Sequence, residues 1–197
     1  MPTLIDMHCH TLPRSQCSGL QPEEIIELSR GRGLDGICLV EHDAFWPEAE
    51  LAELRAMTGF LVLGGVEFTT DMGHVLAYGL SSGSSTFGTA ASVFAAAQRE
   101  QALLFLAHPA RDHYLRVTRD TVAFFESVES VNGSDTRLQN MAAQGLSRGF
   151  RLPGIGGSDA HSAAEAGRAA TRFSAEVTDV SSLLRALRSG EYEAVAL

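Results

Sequence analysis

Residues 4–10 read Leu-Ile-Asp-Met-His-Cys-His: a short apolar run that closes on two histidines spaced two apart. In an extended strand, residues i and i+2 point to the same face, so His8 and His10 are predicted side by side and Cys9 on the opposite face. The same device returns near the other end, where Gly157-Ser158-Asp159-Ala160-His161 sets a carboxylate and an imidazole two apart. Between them, apolar runs at Gly36–Val40, Phe60–Val66, Val75–Leu80, Leu103–Ala107, Ser127–Val131 and Leu152–Gly156 alternate with helix-like segments. These runs are too short for core helices and are rich in Val, Ile, Leu and Phe, as buried strands are.

The helical segments are Pro22–Arg30, Pro47–Met57, Thr89–Gln101, Asp135–Arg148 and Asp179–Arg188. The first opens on Pro and two glutamates and runs out at Gly31 and Gly33, and the last stops at Gly190, matching the usual start and stop chemistry. Strand and helix in alternation predict an α/β fold around a mostly parallel sheet or barrel. Val75–Leu80 follows the Glu67 run too closely for a helix between them, so that pair reads as a hairpin. Ser81–Ser85 reads as a flexible connection, and residues 1–197 read as one domain.

The histidines are not scattered. His8, His10, His42, His108 and His161 each fall just past the end of a predicted strand, and Glu67 sits at the same edge. In α/β barrels that edge is where active sites are built. His74 precedes its run, and His113 lies in an ordinary polar loop. Imidazoles with carboxylates and no thiolate pair suit Zn, Mn or Fe. Six histidines, Glu67 and Asp159 exceed what one tetrahedral ion needs, so two or three ions are expected, with Glu67 or Asp159 bridging.

Composition excludes several alternatives. The 197 residues carry a net charge of −9, and all 15 basic residues are arginines. Without lysine there is no Schiff base, pyridoxal anchor, lysine-bearing phosphate loop or carbamylated-lysine metal bridge. A general nucleic-acid coat is not expected. Three cysteines with no CxxC pair make neither a disulfide framework nor a zinc ribbon. The start MPTLIDMHCH has no signal-peptide character, and no apolar stretch is long enough to span a membrane. A reducing cytoplasm is the expected compartment.

The motifs Asp6-Met-His-Cys-His10, Glu41-His42-Asp43, Gly65-Val-Glu67, His74-Val-Leu, Ala107-His108-Pro109, Val128-Glu-Ser-Val-Asn132-Gly133 and Gly157-Ser-Asp159-Ala-His161 stand in one order. In this the chain resembles the PHP (polymerase and histidinol phosphatase) superfamily over essentially its whole length, including the tail Ala166–Thr171. The resemblance implies a distorted (β/α)7 barrel with two or three metal ions at the C-terminal ends of the strands. It also implies hydrolysis, usually of phosphate esters, by a hydroxide bridging two ions.

Carried over by position, the resemblance implies three metal sites: His8, His10, Glu67 and Asp159 at the first; Glu67, His74 and His108 at the second; His42 and His161 at the third. Cys17 falls where the family usually has the third site's acid. It is either a thiolate ligand favouring Zn or Fe over Mn, or a loop residue beside a weaker site. Glu41 stands where Asp is common, and Asn132 could touch substrate or order a ligand.

With no lysine, phosphate must be held by arginines, the metals and backbone N–H groups; the candidate arginines are Arg111, three residues past His108, then Arg14 and Arg168, each with the surface salt bridge as its alternative. The 51 positions from His108 to Asp159 leave no room for an inserted domain, so the site should be open or completed by another subunit. A small phosphorylated metabolite or nucleotide is the expected substrate, with nucleic acid not expected beyond short oligonucleotides. The rival readings are an amidohydrolase-like C–N hydrolase, weakened by the missing lysine, and a non-catalytic metal-binding module, weakened by the nearly complete ligand set.

Overall fold

The computed structural model describes residues 1–81, 88–111 and 117–197. Most of the Ser81–Ser85 connection and all of the His113 loop lie outside the described residues. Ten strands form two five-stranded sheets. In the first sheet the order is β10 (Tyr192–Ala196), β9 (Ala169–Phe173), β1 (Thr3–Cys9), β2 (Gly36–Leu39), β3 (Leu61–Gly64). In the second it is β4 (Val66–Thr70), β5 (Gly73–Tyr78), β6 (Leu103–Leu106), β7 (Ser127–Asn132), β8 (Ile155–Gly157). The fold is mixed α/β as expected. No closed barrel forms among the described residues; the sheets meet instead through isolated bridges, His42 to Glu67 and Cys9 to Ala160.

The helices are α1 (Pro22–Gly31), α2 (Glu48–Thr58), α3 (Ala90–Glu100), α4 (Arg119–Val122), α5 (Arg137–Ser147) and α6 (Val180–Ser189). Pro22 opens α1 with Glu23 and Glu24 in its first turn. Thr136 and Gln139 cap α5 reciprocally, as Asp179 and Ser182 cap α6, satisfying N–H groups that have no partner within the helix. The short α4 has no counterpart in the sequence reading.

Two local corrections matter for the site. Phe60–Val66 is not one strand: β3 ends at Gly64, and Val66 opens β4, a strand of the other sheet. Glu67 is therefore inside β4, not beyond a strand end. The crossing needs a residue without a side chain, because a Cβ on Gly65 would lie 2.9 Å from both the Ala77 carbonyl oxygen and Val40 Cγ1. Strands β9 and β10 were not foreseen either. Both are short and mainly small-residue, and their antiparallel pairing, β10 on β9 and β9 on β1, is a long-range matter. The β4–β5 antiparallel hairpin is present as expected.

Three apolar clusters fill the interior, one around Ile5, Met7, Leu63, Tyr78, Phe105 and Phe173. Tyr78 spans the sheets by donating its hydroxyl to the Met7 carbonyl at 2.8 Å. At the seam between β1 and β8, a Cβ on Gly157 would meet the Cβ of His8 and lie 2.6 Å from its backbone nitrogen. Gly157→Ala should therefore cost about 1–3 kcal/mol, lowering the melting midpoint by roughly 2–4 °C per kcal/mol. Gly31→Ala, which meets nothing within 4 Å, should leave it unchanged or slightly raised. Calorimetric melting of both variants checks this; equal midpoints would contradict the close approach.

Candidate metal centre

Strand β1 delivers His8 and His10 fully buried at its end. Asp6 on the same face accepts from the backbone N–H groups of His8 (3.1 Å) and Ser158 (2.7 Å), tying the seam together. The Asp159 N–H then donates to the His8 carbonyl at 2.7 Å, which brings the second i, i+2 pair over the first. Asp159 holds this place with φ +52°, and His108 sits at φ +26°. Two candidate ligands thus adopt backbone that L residues rarely take, a pattern common at functional sites.

Four donor atoms converge at the buried centre. His8 Nε2 and His10 Nε2 are 3.0 Å apart. They lie 3.4 and 3.2 Å from Glu67 Oε2 and 3.4 and 3.3 Å from Asp159 Oδ1. Ligands at Zn–N and Zn–O lengths of about 2.0–2.1 Å on a tetrahedron are about 3.3–3.4 Å apart. Glu67 Oε2 is buried and has no hydrogen-bond partner. An orphaned carboxylate oxygen facing three imidazoles at ligand–ligand spacing fits a cation.

The other carboxylate oxygen, Glu67 Oε1, faces His74 Nδ1 at 3.0 Å and His108 Nε2 at 3.1 Å. One side chain thus presents an oxygen to each of two imidazole groups. His42 Nδ1 lies 3.0 Å from Oε2, and His10, His42 and His161 form a further group close enough to share an ion. It is His10 that stands beside His42 and His161, with ring centroids 4.4 and 4.5 Å away. Cys17 is exposed and belongs to none of these groups. Partial desolvation at the loop surface and the charges of Glu41, Glu67 and Asp159 push its thiol pKa up.

Electrostatics follow from the crowding. Burial alone would raise the Glu67 pKa, but charge on His8 and the close imidazoles of His10, His108 and His42 hold it well below the usual range. Asp159 behaves likewise. His8 is pulled down by burial, yet Glu129, Asp159 and Glu67 leave it well above its ordinary value. His10 and His74 are also raised, whereas burial and the His10 charge lower His161.

The expected arginines separate. Arg111 is at the site: Nη1 meets Asp159 Oδ2 at 2.7 Å, Nε meets Asp135 Oδ1 at 2.7 Å, and Nη2 donates to Asn132 Oδ1 at 3.0 Å. Arg14 pairs with both Glu50 oxygens at 2.9 Å and stacks on Trp46 at 3.9 Å. Arg168 is exposed on the approach to β9.

Glu129 and Asp135 were missed by the sequence reading. Glu129 Oε1 holds His8 Nδ1 at 2.9 Å, while Oε2 accepts from the His108 N–H and Asn132 Nδ2, both at 2.9 Å. It fixes the ring so that Nε2 faces the other donors, the usual job of a carboxylate behind a ligating histidine. A signal was available: a Glu in a strand buried along its whole length must be paired. Glu41 accepts from Thr11 and from Trp46 Nε1, and so orders the loop after β1.

A cluster of buried imidazoles and carboxylates at the strand ends of an α/β fold defines a candidate divalent-metal protein. A family profile described as PHP-associated matches residues 137–192. A two-domain protein from Bacteroides vulgatus containing a predicted PHP-like metal-dependent phosphoesterase superposes with TM-score 0.75 and 21% identity. The alignment covers 100% of this chain and 65% of that one, so this chain spans under two thirds of it. A protein from Bifidobacterium adolescentis assigned as a metal-dependent phosphoesterase gives 0.69 and 16%, over 93% and 95% of the two chains. A lesion-specific endonuclease from Pyrococcus furiosus gives 0.71 and 15%, over 98% and 58%. No curated protein matches the chain. The profile covers under a third of the chain, and the solved structures share its fold. No helix among the described residues is long and apolar enough to cross a membrane.

Two measurements test the centre. Glu67→Ala removes the shared carboxylate and should lose roughly half or more of the bound metal by elemental analysis; wild-type content would contradict sharing. The raised pKa values of His8, His10 and His74 mean that these rings hold protons which a dication must displace. Metal binding should therefore release protons and strengthen as pH rises past the ordinary imidazole pKa of about 6.5. Calorimetric titration in two buffers of different ionisation enthalpy reads this, and zero net proton release would contradict it.

Proposed function

We propose that the chain is a metal-dependent phosphoesterase acting on a small phosphorylated metabolite or a nucleotide, with two or three Zn, Mn or Fe ions. The observation that carries this reading is the Glu67 carboxylate, with one oxygen toward His8 and His10 and the other toward His74 and His108. In this reading His8, His10, Glu67 and Asp159 hold one ion, and Glu67, His74 and His108 a second. His42 and His161, with His10 beside them and Cys17 the ligand the family pattern suggests, would hold any third. We take residues 1–197 as one domain without an insert. We read the two sheets as an opened (β/α)7 barrel whose seams are the Cys9–Ala160 and His42–Glu67 bridges.

Bound dications would supply an activated water and neutralise charge developing on the phosphoryl oxygens. The protein does the rest. Glu129 and Asp6 hold the His8 ring and backbone. His42, His74 and His161 are about a third exposed, so substrate would enter over them. Arg111 uses three of its five N–H groups on Asp159, Asp135 and Asn132, leaving two for a phosphate oxygen. Arg14 and Arg168 remain weaker candidates. The net charge of −9 disfavours a long nucleic-acid track, although a similar fold is that of a lesion-specific endonuclease. The missing lysine weighs against the C–N hydrolase reading.

Assay of the metal-loaded protein on an aryl phosphate, an aryl phosphodiester and the matching anilide decides among these readings. Hydrolysis of a phosphate ester, lost on chelation, is expected. Arg111→Ala should lower kcat/KM roughly 10²-fold, and Arg14→Ala should change it less than about threefold. Faster cleavage of the anilide would contradict the proposal.

A further inference from the structure

The loop after β7 is pinned to the loop after β8. The Gly133 N–H donates to the Gly157 carbonyl at 2.9 Å, and Ser134 Oγ reaches the carbonyls of Ser158 (3.1 Å) and Asp159 (3.2 Å). A Cβ on Gly133 would lie 3.0 Å from Ser158 Cα, so the two loops are in tight contact. Asp135, at the end of this pinned loop, is therefore held fixed relative to Asp159. Its side chain is 1% exposed. Its Oδ1 meets Arg111 Nε, while Oδ2 is buried without a hydrogen-bond partner.

Arg111 comes from a third strand end. Its N–H closes a turn on the His108 carbonyl at 3.0 Å, so its backbone moves with His108. Its guanidinium then spans Asp135, Asn132 and Asp159. Asn132 Nδ2 in turn donates to Glu129 Oε2, at 2.9 Å, and faces Asp159 Oδ2 at 3.4 Å. A buried carboxylate with one free oxygen is costly to keep unless its partner needs it. Among the described residues the Asp135 carboxylate makes its ion pair with Arg111, and the charges of Glu129 and His108 act on it from further away.

We propose that Arg111, keyed by Asp135, is a positioning residue that braces Asp159 against the β6 loop carrying His108. It thereby sets the spacing of ligands that belong to different ions. This rests on the metal centre proposed above but not on any substrate. The planar fork of arginine makes it rigid enough for the task. Each of its three contacts uses a different nitrogen of the guanidinium, so the group cannot rotate toward one acceptor without weakening another.

The test uses metal alone. The full-length protein competes with a chromophoric chelator for Zn²⁺, as wild type, Asp135→Asn, Arg111→Gln and the double variant, with metal-free melting run in parallel. Arg172→Ala, an exposed partner of Glu193 on β9, serves as control. The single variants should weaken the tightest Zn²⁺ binding roughly 10–100-fold, the range for groups that orient ligands. Their metal-free melting midpoints should stay within a few degrees of wild type. The double variant should be no worse than Arg111→Gln alone, because both changes break one chain of contacts. Arg172→Ala should bind as wild type does.

Unchanged Zn²⁺ affinity in Arg111→Gln, whose side chain is partly exposed and tolerates replacement, would overturn the brace even if Asp135→Asn failed to fold. Additive losses in the double variant would also overturn it. A protein that binds Zn²⁺ in this pattern yet hydrolyses no phosphate ester would refute the proposed function and leave the brace standing. A wild-type protein that binds no Zn²⁺ or Mn²⁺ would refute both.

Discussion

A single buried carboxylate organises this protein. Glu67 lies among five imidazoles, those of His8, His10, His42, His74 and His108, each with a ring nitrogen within 3.4 Å of one of its oxygens. Burying an isolated anion is costly, and burying several cations around it is costlier unless charge and geometry match closely. That requirement explains why the chain leaves β3 at Gly64 and re-enters the other sheet at Val66. The jump drops Glu67 into the middle of the histidines, and the His42–Glu67 bridge holds it there.

The support around this carboxylate is layered. Asp6 secures the backbone of β1 to that of β8, Glu129 orients the His8 ring, and Arg111 ties the β6, β7 and β8 loops. Each supporting group is itself a polar side chain with limited exposure, so the cost of burying one is offset by its neighbours. Such networks rigidify when fully satisfied. The orphan carboxylate oxygens among the described residues, on Asp6, Glu67 and Asp135, have different neighbours. Only the Glu67 oxygen faces several imidazole nitrogens, and so only it suggests a cation.

Much of the site was legible in the sequence because β-strand alternation is a local rule. His-Cys-His announces a shared face and strand ends announce a shared edge, whereas Asp159 lies past β8 at φ +52° and reaches the site by a turn, not by strand alternation. The fold class was legible for the same reason. What was not legible depends on pairings between distant segments. Glu67 was read as following a strand because Leu61–Val66 is apolar without a break; only the packing of Gly65 against Ala77 and Val40 shows the crossing. Short β9 and β10 carry no strong period. Glu129 hides in a strand that otherwise looks like core, and Asp135 in what looks like a helix start. Cys17 shows the converse. Alignment placed it near the third group of imidazoles, while the loop leaves it exposed.

The central claim is that one Glu67 carboxylate joins two ions. Electron paramagnetic resonance of the protein loaded with Mn²⁺ addresses it directly, since ions sharing a carboxylate lie close enough to couple their spins. The account predicts an exchange-coupled signal in wild type that Glu67→Ala converts to that of isolated Mn²⁺. A fully loaded wild-type protein that shows only the hyperfine pattern of isolated ions would contradict it.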